Sequence, residues 1–124
     1  MRVEEVDERD SSWEDTNPRF RVYLFEGGDE ATWSSWRVAT YDIEGVDILE
    51  VIRWAQTQAG EERLYAVALV GEREAAPPGF RRGLTWLVGM DANEADAARN
   101  PAFVAMQARR GKKIVNGGTG TREV

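Results

Sequence analysis

The sequence predicts an α+β domain: a four-stranded, mostly antiparallel sheet in β-β-α-β-β order, with one main helix on one face and a short C-terminal helix. Three observations carry this. Four stretches alternate their apolar residues with period two, the mark of strands. One stretch, 48–59, repeats its apolar residues at helical spacing between an acidic cap and a glycine. A length of 124 residues suits one domain with its own core.

Residues 1–17 show no apolar periodicity and are rich in Glu, Asp and Ser, so a disordered acidic tail is expected, with Trp13 as an isolated aromatic. Pro18 opens the domain, which is expected to run to residue 92. In the first strand, Arg19 to Glu26, Phe20, Val22 and Leu24 share one face and Arg21, Tyr23 and Phe25 the other. Gly27-Gly28-Asp29 signals a turn, and a second strand is expected from about Trp33 to Glu44. Asp47 with Glu50 three residues on has the form of a capping box. The helix Ile48 to Ala59 then ends at Gly60. Ile48, Ile52, Ala55 and Ala59 form its core stripe, flanked by Leu49 and Val51. Trp54 lies about 140° from the centre of that stripe, on the polar face.

The third strand is read at 63–73 and the fourth at Leu84 to Met90, separated by the loop Ala75-Ala76-Pro77-Pro78-Gly79. Asn100-Pro101 has the form of N-cap and first residue of a helix running to Arg110 and stopped by Gly111, within a short helical segment, 93–111. A basic, Gly-rich tail, 112–124, is expected to be flexible.

Composition excludes several chemistries. Without cysteine there is no disulfide, thiolate metal site or thiol nucleophile. Without histidine there is no Ser-His-Asp triad and no imidazole base. No run approaches the ~20 apolar residues of a membrane span, and the acidic N-terminus does not read as a secretory signal. The expectation is a cytoplasmic protein with no cofactor, no metal and no membrane partner.

The net charge of −6 is unevenly placed. Residues 1–18 carry net −5, residues 19–98 net −6, and residues 99–124 net +5. Opposite charge at the two ends admits two readings: solvated tails, or pairing within one chain or between copies. The cluster Arg109-Arg110-Gly111-Lys112-Lys113 has the chemistry to touch phosphates, but the acidic remainder opposes direct nucleic-acid binding.

Strands three and four are apolar on both faces, and one helix covers only one side of a sheet. The second face, expected to include some of Tyr23, Phe25, Tyr41, Tyr65, Val67 and Leu69, therefore needs a cover. The short C-terminal helix, another copy and a different protein all qualify.

Other motifs fail on inspection. Asp91 to Asp96 lacks the Gly and Glu of an EF-hand, and Gly117-Gly118-Thr119-Gly120-Thr121 lacks the Lys of a P-loop. The β-β-α-β-β order over about residues 19–91 resembles the β-grasp (ubiquitin-like) fold, in element order alone. That resemblance implies a carrier ending in Gly-Gly, whereas here Gly117-Gly118 is followed by Thr119 to Val124.

The sequence thus points to a non-catalytic protein–protein interaction module, with self-association favoured. Its expected contact residues are Trp54, Tyr23, Phe25, Tyr65 and Trp13, with Arg109, Arg110, Lys112 and Lys113 aiding docking. An acidic regulator or nucleic-acid mimic bound to a basic protein is the alternative. A carrier or a small carboxylate enzyme ranks third.

Overall fold

The computed structural model describes residues 1–28, 35–72 and 76–116. The expected start of the second strand at Trp33, the end of the third at Arg73, the turn residue Asp29, Ala75 and the Gly-rich stretch 117–121 lie outside the described residues. The elements are β1 (Arg19–Glu26), β2 (Arg37–Ile43), α1 (Ile48–Ala59), β3 (Leu64–Glu72), β4 (Arg82–Val88) and α2 (Pro101–Ala108). The four strands form one antiparallel sheet in the order β2-β1-β3-β4. The α+β class and the position of the main helix between the second and third strands are as the sequence predicts.

Both helices begin as their capping residues dictate. The Asp47 carboxylate accepts from the Glu50 backbone N–H at 3.0 Å, and the Asn100 side chain accepts from Ala102 N at 2.9 Å. Each satisfies a donor that the first helical turn leaves without a partner. Gly60 ends α1 with φ of 62°, a conformation that favours glycine. The second helix ends at Ala108, two residues short of the expected Arg110.

Because β2 and β3 each run antiparallel to β1, they run parallel to one another, and α1 is the crossover between them. That crossover lays α1 over β1 and β3. Phe20, Val22 and Leu24 of β1, Tyr65 and Val67 of β3, and Val51, Ile52, Ala55 and Ala59 of α1 close the first core. The other face of the sheet carries a second core, in which Phe25, Leu64 and Ala66 meet Met90, Ala92, Phe103 and Met106. The C-terminal helix therefore covers one end of the second face.

The register corrects the expected membership of that face. Tyr65 pairs with Leu24, Val67 with Val22, Leu69 with Phe20, and Tyr41 with Val22, so all four point toward α1. Only Tyr23 and Phe25, of the six residues considered, lie on the second face. Alternation sorts one strand into two faces, but a slip of one residue between neighbours exchanges them. The far end of the second face is polar. Arg21 stands opposite Asp42 in a two-pronged ion pair of 2.7 and 3.1 Å, Arg19 reaches Glu44 at 3.3 Å, and Arg82 reaches Glu72 at 3.1 Å.

After α2 the chain turns back to α1. The Gln56 side-chain oxygen accepts from Ile114 N at 2.9 Å and Val115 N at 3.2 Å, while its amide donates to the Val115 carbonyl. Arg53 Nε donates to the Asn116 carbonyl at 3.0 Å, and Val115 packs on the first core. Residues 114–116, expected within a flexible tail, are thus anchored to the main helix. Gln56→Ala is expected to lower stability by about 1–2 kcal/mol, because three backbone groups lose their partner. Hydrogen exchange at Ile114 and Val115 checks this: amides as slow to exchange as in the parent protein would show that Gln56 does not hold the segment.

Candidate functional site

The residues expected to form an aromatic binding face are distributed over separate environments. Phe25 is completely buried, and Tyr65 is 6% exposed; both are core. Tyr23 is half-buried, with its ring 4.9 Å from that of Trp86 and 6.1 Å from that of Phe25. Trp54 is not a bare aromatic on a polar face. It is half-buried against the first core and meets the Tyr41 ring edge-on at 5.3 Å. A twisted sheet rises around a helix laid on it, so even the flank of α1 meets the edge strand β2. Trp13 is 78% exposed and borders a shallow hollow with Asn17, Arg19, Val70 and Arg82.

The basic cluster divides in the same way. Lys112 and Lys113 are exposed, Arg109 is half-buried at the end of α2, and the Arg110 guanidinium lies over the Trp36 ring at 5.5 Å. The importance of Trp36 was not legible from the alternation of its strand. Its backbone N–H donates to Asn93 Oδ1 and its carbonyl accepts from Asn93 Nδ2, both at 2.9 Å. Its ring lies against Gly28, where a Cβ would fall 2.2 Å from the indole, and meets Phe103 edge-on at 6.3 Å. Asn93 thus clamps the entry to β2, and Asp91 Oδ1 accepts from Asn93 N at 2.9 Å to shape that clamp. Among the described residues, no group of three or more Asp or Glu side chains gathers to hold a metal.

The hollow beside this clamp is open and mixed in character, about 500 Å³, with Ser35, Asn93, Glu94, Asp96 and Arg99 on its walls. A larger and more apolar groove, about 940 Å³, lies on the α1 face of the sheet, between the start of α1 and β4. Phe20, Ile48, Ile52, Leu69, Leu87 and Val88 line it. It exists because α1 crosses β1 and β3 and leaves the β4 side of the face uncovered. Leu87 is the extra residue of a bulge, since Val67 pairs with Val88 and Ala68 with Trp86. It is 44% exposed, and exposed apolar groups gathered in a groove mark contact surfaces more than isolated ones do.

The groove borders an unprotected strand edge. From Gly83 to Met90 the chain has no charged residue, and β4 is the outer strand. The opposite edge, β2, carries Arg37 and Asp42, both in ion pairs. Charges and irregularities are the usual guards against edge-to-edge pairing; β4 has Arg82 at its first position and the bulge at Leu87, with no charge between them.

Asp42 and Tyr65 are among the ionisable groups displaced from their ordinary behaviour. The hydrogen-bonded Arg21 guanidinium holds the Asp42 carboxyl below the usual carboxylate range. Burial pushes the Tyr65 phenol upward, opposed by the charge of Arg109. Among the described residues, no helix is long and apolar enough to cross a membrane. No family model matches the chain, and neither a curated protein nor a solved structure matches it.

Proposed function

We propose that the chain is a non-catalytic protein–protein interaction module that self-associates through β4 and the apolar groove beside it. One observation carries the reading: an apolar groove lies against an outer strand with no charge between Gly83 and Met90. A second copy supplies what this surface lacks, a strand equally uncharged from Gly83 onward to complete the ladder and a matching set of apolar groove residues. Antiparallel pairing of two β4 strands about Thr85 sets Leu84 against Trp86 of the other copy, a favourable aliphatic–aromatic pair. The reading moves the interface from the expected aromatic face to the β4 edge, where Leu87 and Val88 face the groove and Leu84 and Trp86 face the side of Tyr23, because Phe25 and Tyr65 are core.

Light scattering at low and high salt is the test. The full chain is expected to run at twice its mass in both, since apolar contacts survive screening. Leu87→Arg is expected to weaken the dimer about thirtyfold, from about 2 kcal/mol of lost apolar burial and a charge placed in the groove. A monomer in every condition, or a dimer indifferent to Leu87→Arg, overturns the reading.

A second reading is an acidic regulator that binds a basic protein. The exposed, net-negative stretch 1–17 supports it. It requires a partner complex that weakens steeply with salt and is lost when residues 1–17 are removed.

A further inference from the structure

A different corner of the molecule holds two polar atoms that the fold leaves without partners. Among the described residues, the buried hydroxyl of Tyr65 and the buried Nε of Arg109 have no hydrogen-bond partner. Both residues line one small cavity where the end of α1, the start of β3 and the end of α2 converge. Buried polar groups are paired in nearly all native structures, so a converging pair of orphans calls for a ligand or a water. The Arg109 guanidinium sits close enough to the phenol to act on its oxygen, but Arg Nε–H is a donor only and the phenol O–H still has a proton to give, so the atom that satisfies both is an acceptor.

The walls carry charge of one sign. Arg63, Arg109, Arg110 and Lys112 line the cavity, and among the described residues no Asp or Glu does. The Arg110 head group is directed over Trp36, which leaves Arg63, Arg109 and Lys112 as cations of the cavity. Among the described residues, none of these three stands within ion-pair distance of a carboxylate. Glu61 and Glu62 line the adjacent hollow rather than this one. The enclosed part is about 10 Å³, room for one oxygen atom, and the charged rim opens to solvent.

We infer that this corner binds a small oxyanion of the phosphate class. One of its oxygens fills the cavity and accepts from Tyr65 Oη and Arg109 Nε, while its remaining oxygens face Arg63 and Lys112. A single neutral water would satisfy the two donors but leave the three positive charges without a counterion. An anionic oxygen satisfies both requirements, and charge-assisted hydrogen bonds are the stronger kind. The site is independent of the β4 groove, which lies on the other side of α1's footprint and shares no lining residue with it.

The test titrates inorganic phosphate, and separately a phosphate monoester (phenyl phosphate), into the full chain at constant ionic strength held with chloride. Heat of binding and thermal midpoint are followed. Saturable binding with a rise in midpoint is expected. Binding of both probes marks a site for the phosphate group wherever it is carried, and binding of inorganic phosphate alone marks a site for the free ion. Arg109→Gln is expected to weaken phosphate about tenfold or more, and Tyr65→Phe several-fold, from loss of a charge-assisted donor. Arg81→Gln, an exposed arginine on the β3–β4 connection, is the control and is expected to bind as the parent does. If Arg109→Gln fails to fold, Tyr65→Phe and Lys112→Gln decide, since neither removes ring packing or a buried side chain. No saturation, or equal binding by parent and variants, overturns the inference and leaves the cavity to one water.

Discussion

Replacing Phe103 by alanine is expected to lower stability by about 3–5 kcal/mol and to release α2 from the sheet. Phe103 is fully enclosed, packed in the core that contains Phe25, Leu64 and Met106. It is one of only two buried residues in α2, with Met106. An eight-residue helix has no stability of its own, so its position rests on these two anchors and the Asn100 cap. With the aromatic ring gone, a cavity opens under the helix and the second sheet face loses half of its cover. A domain of this size has about 5–15 kcal/mol in total, so the loss is a large fraction of it. Urea unfolding with a solvatochromic dye measures both effects. A loss under about 1 kcal/mol with no new dye binding would mean that α2 is not what closes this face.

Gly89→Ala is expected to cost about 2–5 kcal/mol. Gly89 follows β4 with φ of 78°, where a side chain crowds its own backbone by about 1–2 kcal/mol. A Cβ there would also stand 3.0 Å from Ala66 Cβ and 3.0 Å from Met106 Cγ and Sδ, so overpacking adds about 1–3 kcal/mol. The two causes separate in a double-mutant cycle. In a Met106→Ala background the crowding from the flexible thioether disappears while the backbone strain remains, so the Gly89→Ala penalty is expected to shrink but not vanish. Equal penalties in both backgrounds would show that Met106 moves aside freely and that backbone strain with the Ala66 contact is the whole effect.

The candidate surfaces were less legible than the elements. Trp54 was visible as a misplaced aromatic on α1, but its contact with Tyr41 depends on how β2 rises beside the helix. Gln56 had a signal that could have been used: at 100° per residue it falls about 70° from the centre of the apolar stripe, between Ile52 and the flanking Leu49. An amide so close to a core face needs partners, and those partners came from residues 114 and 115, nearly sixty positions away. Asn93 shows the same limit. As a sequence it belonged to a run of oxygen ligands; in the fold it pairs with both backbone groups of Trp36. The orphaned pair of Tyr65 and Arg109 has no sequence signature, since α2 must first carry Arg109 to the start of β3.

What the sequence alone determined was local. Period-two alternation set β1, the capping pair Asp47 and Glu50 with Gly60 set α1 to the residue, and Asn100-Pro101 set where α2 starts. These depend on a few neighbouring residues and on backbone geometry, so the chain states them directly. The tertiary structure alone decided the register that sends Tyr65 toward α1 and Phe25 toward α2. It also decided the covering of the second face by α2 and the open groove beside β4. Each of these depends on which of two alternating faces a strand turns toward its neighbour. That choice is made by the summed burial of both cores, not by any residue's local preference.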